Sequence, residues 1–423
     1  MKWQRLFNAS ACALLLVSFG CNAPSAAPTG TPAAPAAPTD KEIPPEPDSP
    51  IPELYSLGEP LPAAPAHYQG GDSIQLHEIH MLNPVEGWAI SGPYVLRTAD
   101  GGMTWREATP ILPANAFSNA SVEAHGVFLD SQTAWVNFSF VDQQRHWVLE
   151  VQVWHTTDGG QTWTPSAPLF HEEFGDLGWV EFAALNAENV WLMVRNFASS
   201  AGRQYTNHLF RTTDAGATWT PLVGDADAQF WVDVTGMAFS DPANGWVTWQ
   251  TDPPAPPAYA VTADGGASWE SRELPPPPDA PDLFEQVENC APFQPNLLST
   301  SSIRLLVGCF DYPAEGFDPP EEYLYASEDG GKTWEMILLP GPVLASHARL
   351  IYFDADHALL LGREMYSSAD SGRTWTYVKT VDWDGQFSFV NQQQGWAIPN
   401  FNALMNTVDG GRTWALIEPV IGQ

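Results

Sequence analysis

Fifty aspartates and glutamates stand against 17 lysines and arginines in these 423 residues, so the side chains with most scope for chemistry are carboxylates. Two carboxylates at a fixed separation can hydrolyse a glycoside, one acting as acid and the other as base or nucleophile. With acids this abundant, their presence alone selects no pair. The histidines show no metal-ligand spacing, and neither a serine nucleophile elbow nor a glycine-rich phosphate loop occurs. No catalytic residue, metal or cofactor is therefore assigned. A net charge of −33 repels phosphate backbones, which excludes a sequence-independent nucleic-acid binder.

Seven of the aspartates sit in one recurring octet, Ser/Thr-x-Asp-x-Gly-x-Ser/Thr-Trp, which begins at Thr98, Thr156, Thr212, Thr262, Ser327, Ser368 and Thr407. Its acids are Asp100, Asp158, Asp214, Asp264, Asp329, Asp370 and Asp409, and the intervals are 58, 56, 50, 65, 41 and 39 residues. Apolar strand residues precede each copy. The Asp can accept backbone N–H bonds, the fifth-place Gly takes a positive φ, and the Trp buries a large face. That is hairpin-turn chemistry, so these carboxylates read as structural. A second repeat lies upstream, clearest at Asn83–Ala89, Asp241–Val247 and Gln392–Ala397, and marks a polar turn into a second strand. Each unit thus supplies four strands, and seven units predict an all-β, seven-bladed β-propeller of four-stranded antiparallel blades over 68–423.

The octet resembles the Asp-box, or BNR, repeat of sialidase-like propellers, where it joins the third and fourth strands of a blade. The whole unit is similar to that of the photosystem II assembly and stability factor family, most clearly at 83–109 and 391–418. This resemblance implies a non-catalytic scaffold for membrane-protein partners on the extracytoplasmic side, with a binding surface that includes an arginine patch. No such cluster stands out among the 13 arginines here. A sialidase would need three convergent arginines, a Tyr with a Glu partner and an Arg-Ile-Pro motif before the first octet; Pro93-Tyr94-Val95-Leu96-Arg97 occupies that place. A glycoside hydrolase, sialidase-like or xyloglucanase-like, is the alternative reading.

Ahead of the repeats, Lys2 and Arg5 precede an apolar run ending at Cys21. The run is short for a membrane span, which takes about 20 residues, and 1–20 resembles a bacterial lipoprotein signal with Cys21 as the lipidated residue. Residues 22–65 hold 13 of the 39 prolines and no apolar periodicity, so 21–67 reads as a tether. The expected location is extracytoplasmic, on a bacterial membrane or envelope. Cys290 and Cys309 fall opposite each other in an antiparallel pair of blade five and are expected to form a disulfide.

A ligand is expected on the face opposite the octet turns, where unequal spacing puts the insertions. Acids and aromatics coincide there. Trp179, Glu181, Trp231, Asp233, Phe284, Glu288, Trp383 and Asp384 are the candidate partner face, for a protein or a glycan.

Overall fold

In the computed structural model the described residues are 59–112, 120–142, 148–169, 176–197, 205–223, 233–251, 255–286, 289–310, 321–340, 349–400 and 403–422. Alternating apolar and polar residues bounded by turn signals form seven separate sheets. Blade one runs Glu78–Met81, Gly87–Ser91, Tyr94–Thr98 and Thr104–Glu107, each strand antiparallel to the one before. The first strands of the next six blades are Ala120–Phe128, Asp176–Ala184, Asp233–Phe239, Asn289–Pro292, Arg349–Tyr352 and Gly385–Phe389. The fold is a seven-bladed β-propeller, as the repeats predict, and among the described residues its helix is the single turn Leu283–Gln286.

The seven octets share one bonding scheme. In blade one the Thr98 hydroxyl donates to Asp100 Oδ1 at 2.9 Å and accepts from the Gly102 N–H at 3.0 Å. Asp100 then accepts from the Thr104 N–H at 2.9 Å and the Thr104 hydroxyl at 2.6 Å. The other six copies repeat these four bonds. The fourth octet place is left-handed as well as the fifth, and Ala215 and Ser371 accept it at φ of 63° and 66°.

The upstream repeat has its own device. Asn83, Asp130, Asn186, Asp241, Ser299, Asp354 and Asn391 each accept two backbone N–H bonds in the turn between strands one and two. The fourth octet residue then donates its N–H to that turn, as in Gly101 to Val85 at 2.9 Å and Gly410 to Gln393 at 2.8 Å. Both repeats therefore occupy one rim of each blade.

The core lies between blades rather than within them. Each buried cluster straddles a seam, such as Trp88, Val95 and Trp163 with Phe138 between blades one and two, or Leu306 and Leu324 with Leu350 and Leu360 between five and six. Second-strand side chains cross these seams to the fourth octet carbonyl of the next blade. Trp135 donates to Ala215 and Trp191 to Gly265, both at 2.9 Å, and Trp396 donates to Gly101 at 2.8 Å. Arg304 takes the same place in blade five, reaching the Ser371 carbonyl at 3.5 Å.

Two short strands flank the blades, Val420–Ile421 after them and Leu61–Pro62 before them, the latter within the stretch expected as tether. Val420–Ile421 adds to Thr104–Trp105 as a parallel strand, and Leu61–Pro62 pairs with Trp163 and Thr162 of blade two. Cys290 and Cys309 face each other in register and are joined by a disulfide in blade five. Among the described residues no helix is long and apolar enough to cross a membrane. Cys21 and all of 1–58 lie outside them.

Candidate functional site

Side chains on a first strand alternate between the two seams it borders, as Ile79 packs toward blade seven and His80 against Phe128 of blade two, and residues of both sets reach the propeller axis. There the first strands surround a cavity of about 790 Å³. Glu78 and His80 come from blade one, His125 from blade two, Glu181 from blade three and Arg349 from blade six. Gln294, Asn296, Gln386 and Ser388 complete the polar wall. Blade five approaches closely here: a Cβ on Gly236 would stand 2.2 Å from the Gln294 Cα, so only glycine fits.

Part of this polar wall laces neighbouring blades. His125 Nδ1 lies 2.6 Å from Glu78 Oε1, joining blades two and one, and His80 Nε2 lies 3.9 Å from Glu78 Oε2. Arg195, outside the lining, donates to the Val234 carbonyl at 2.5 Å, and Arg349 Nη1 in the wall donates to the Phe387 carbonyl at 3.3 Å. Ser388 Oγ accepts the Met81 N–H at 2.8 Å. The Thr235 hydroxyl of blade four donates to the Pro292 carbonyl of blade five, while that of Tyr352 donates within its own blade, to the Ser371 carbonyl at 3.1 Å.

The two cavity carboxylates are driven to opposite charge states. Burial opposes ionisation of Glu78, but hydrogen bonds and charge from His125 and His80 outweigh it and hold its pKa down to about 2. Burial likewise favours neutral His125, and Glu78 overturns that and raises its pKa. At Glu181 burial wins: its pKa rises to about 8 against the opposing pull of the Met237 N–H, Arg349 and Arg195. Its Oε2 is shut off from solvent without a hydrogen-bond partner. Arg349 is open to cavity solvent but walled by protein, and this burial lowers its pKa while Glu181 and Glu78 pull it back. At neutral pH the cavity therefore holds an ionised Glu78, a neutral Glu181 and a charged Arg349.

Of the expected partner-face residues, the four with described side chains, Glu181, Phe284, Trp383 and Asp384, lie in different surroundings. Glu181 lines the cavity. Phe284 is 8% exposed and belongs to the core between blades four and five. Trp383 packs on Phe387 and Trp414 at ring-centroid distances of 5.6 and 5.8 Å. Asp384 pairs with Arg363 at 2.5 Å. Trp179 and Asp233 lie on the first strands of blades three and four. Trp231 and Glu288, like much of the inserted sequence, lie outside the described residues.

Glu78, His80, His125 and Arg349 were not singled out from the sequence. A signal for them exists: charged residues at alternate places on a blade's first strand, as in Glu78-Ile79-His80. A Tyr–Glu pair does form, with the Tyr366 hydroxyl donating to Glu364. Burial, then Glu364, Tyr377 and Glu322, raise the Tyr366 pKa. Among the described residues, no group of three or more His, Cys, Asp or Glu side chains is placed to hold a metal ion.

No protein-family model matches this chain, and no curated protein does. Among solved structures, YCF48 bound to D1 peptide is similar at 18% identity and a TM-score of 0.49, over 82% of this chain and 97% of that one. YCF48 from Cyanidioschyzon merolae is similar at 16% identity and a TM-score of 0.45, over 81% and 95% respectively. The GH74 xyloglucanase from Xanthomonas campestris is similar at 11% identity and a TM-score of 0.33, over 81% of this chain and 64% of that one. At these identities the likeness concerns the propeller fold alone.

Proposed function

We propose that this chain is a non-catalytic binding propeller that holds a protein or glycan partner outside the cytoplasm. Cys21 would anchor it to a bacterial membrane through lipid, and the proline-rich tether would carry the propeller away from the surface. One observation carries the binding reading: polar side chains from several blades converge on a preformed cavity of about 790 Å³ whose hydroxyls have backbone partners. None of those hydroxyls is bonded to a base, so the nucleophile–base pairing of covalent catalysis is missing among the described lining. Capture from detergent-solubilised native membranes, beside a glycan array, tests it. Retention of one ligand class without chemical change supports the reading; failure to retain anything defeats it.

A glycoside hydrolase is the second reading, favoured by Glu78 and Glu181 lining one cavity with their charge states driven apart. It predicts cleavage of a bound glycan that disappears in both Glu78→Gln and Glu181→Gln. Chromatography of the array ligands after long incubation decides between the two.

A further inference from the structure

The cavity holds a cation whose hydrogen-bonding capacity is largely uncommitted. A guanidinium carries five N–H donors in a planar fork. Arg349 uses Nη1 for the Phe387 carbonyl at 3.3 Å, and forms no ion pair with either cavity carboxylate. Lacing one seam needs no more than that single bond. The remaining donors lie where solvent reaches them but bulk water does not surround them. A cation open to cavity solvent, with donors free, suits an anion that can accept two parallel bonds.

The surrounding charges agree with this. In a protein of net charge −33, the axis is a place where negative charge is locally withdrawn. Glu78 is matched by His125 at 2.6 Å, and Glu181 Oε2 is buried without a partner, a setting that an ionised carboxylate avoids. An entering anion therefore meets Arg349 with Glu78 matched by His125 and Glu181 neutral, and Glu123, which acts on His125, is the remaining carboxylate near the centre.

We propose that the cavity recognises its ligand through a carboxylate group, with the Arg349 guanidinium as the anchor and Glu181 as the adjoining wall. This rests on the cavity being the ligand site. The carboxylate could belong to a free organic acid or to a uronate residue of a glycan, and the two sources are separable by experiment.

Calorimetric titration of the full chain with succinate, D-glucuronate, a trigalacturonate and D-glucose tests the proposal. Carboxylates should bind and glucose should not. Arg349→Met should weaken carboxylate binding about tenfold or more, and Arg349→Lys, which keeps the charge but loses the fork, should fall between. Succinate binding alone identifies a free acid; binding confined to the two sugars identifies a uronate. Raising the pH through about 8 should weaken binding as Glu181 ionises, and Glu181→Gln should remove most of that fall. The other groups facing this centre are Glu78, His80, His125, Glu123, Arg195 and Arg349, and the Gln variant isolates Glu181 among them. Equal carboxylate binding by wild type and Arg349→Met, or none by the wild type, overturns the proposal. If carboxylates fail while Gln386→Trp, which puts a bulky ring on the cavity wall, abolishes capture of a neutral glycan or membrane protein, the cavity reading stands and the carboxylate anchor alone falls.

Discussion

The Trp396 indole donates to the Gly101 carbonyl at 2.8 Å, joining residues 295 apart in sequence and latching blade seven to blade one. The same second-strand position latches blades two and three to their successors, so the bond that closes the ring is the bond that builds it. Trp396→Phe keeps most of the buried ring and removes the N–H. A loss of about 1 kcal/mol in urea unfolding is expected, against about 3–5 kcal/mol for Trp396→Ala, which also opens a cavity. Equal stability of Trp396→Phe and wild type would show that packing alone closes the ring.

The octet aspartates make an acid-sensitive set. All seven have pKa values below the ordinary carboxylate range, Asp264 at about 2, where bonds from Ser268 and Thr262 favour the ionised form. A depressed folded-state pKa contributes stability that is present above pH ~4 and lost as pH falls toward 2. Acid unfolding monitored by tryptophan fluorescence should begin in that window. Asp264→Ala should cost about 1 kcal/mol at pH 7, because the turn is exposed and screened, and less at pH 2.

Glu181 has the opposite sign. Its raised pKa means that stability is full below about 4.5 and falls as pH rises through about 8. Glu181→Gln should match wild type in melting temperature at pH 5 and exceed it at pH 9. A constant difference across that range would show that the carboxyl is ionised throughout.

Blade five depends on its cross-link. Cys290 and Cys309 are 19 residues apart, and chain-entropy reasoning for such a loop gives a contribution of roughly 3 kcal/mol. Reduction should lower the melting temperature in wild type and leave a Cys290→Ala, Cys309→Ala variant unchanged. Thiol counting under denaturing, non-reducing conditions should find neither cysteine free.

What was legible in the sequence is what is local. The bonds of an octet begin and end within eight residues, so Thr98, Asp100, Gly102 and Thr104 declare their turn without the rest of the chain. The second-strand tryptophans were visible as strand markers, but their purpose was not, because Trp135 finds its acceptor 80 residues away at Ala215. The cavity is harder still. Glu78 and His125 meet across 47 residues, and Arg349 reaches the same space only because the ring closes. Among 50 acids, neither abundance nor an aromatic neighbour separates Glu181, on the axis, from Asp384, paired with Arg363 at the surface. Phe284 and Trp383 illustrate the same limit, since an aromatic in an insertion can cover a blade as readily as it can meet a partner.

Under the proposed function, ligand is held in the axial cavity and leaves it unchanged. Gln386 lines that cavity, so the most direct test is capture by Gln386→Trp beside wild type, from native membranes and on a glycan array, with melting temperatures measured in parallel. At least a tenfold loss of capture at unchanged melting temperature is expected, with intact ligand recovered from the wild type. Undiminished capture by Gln386→Trp, or cleaved glycan recovered from the wild type, overturns this reading.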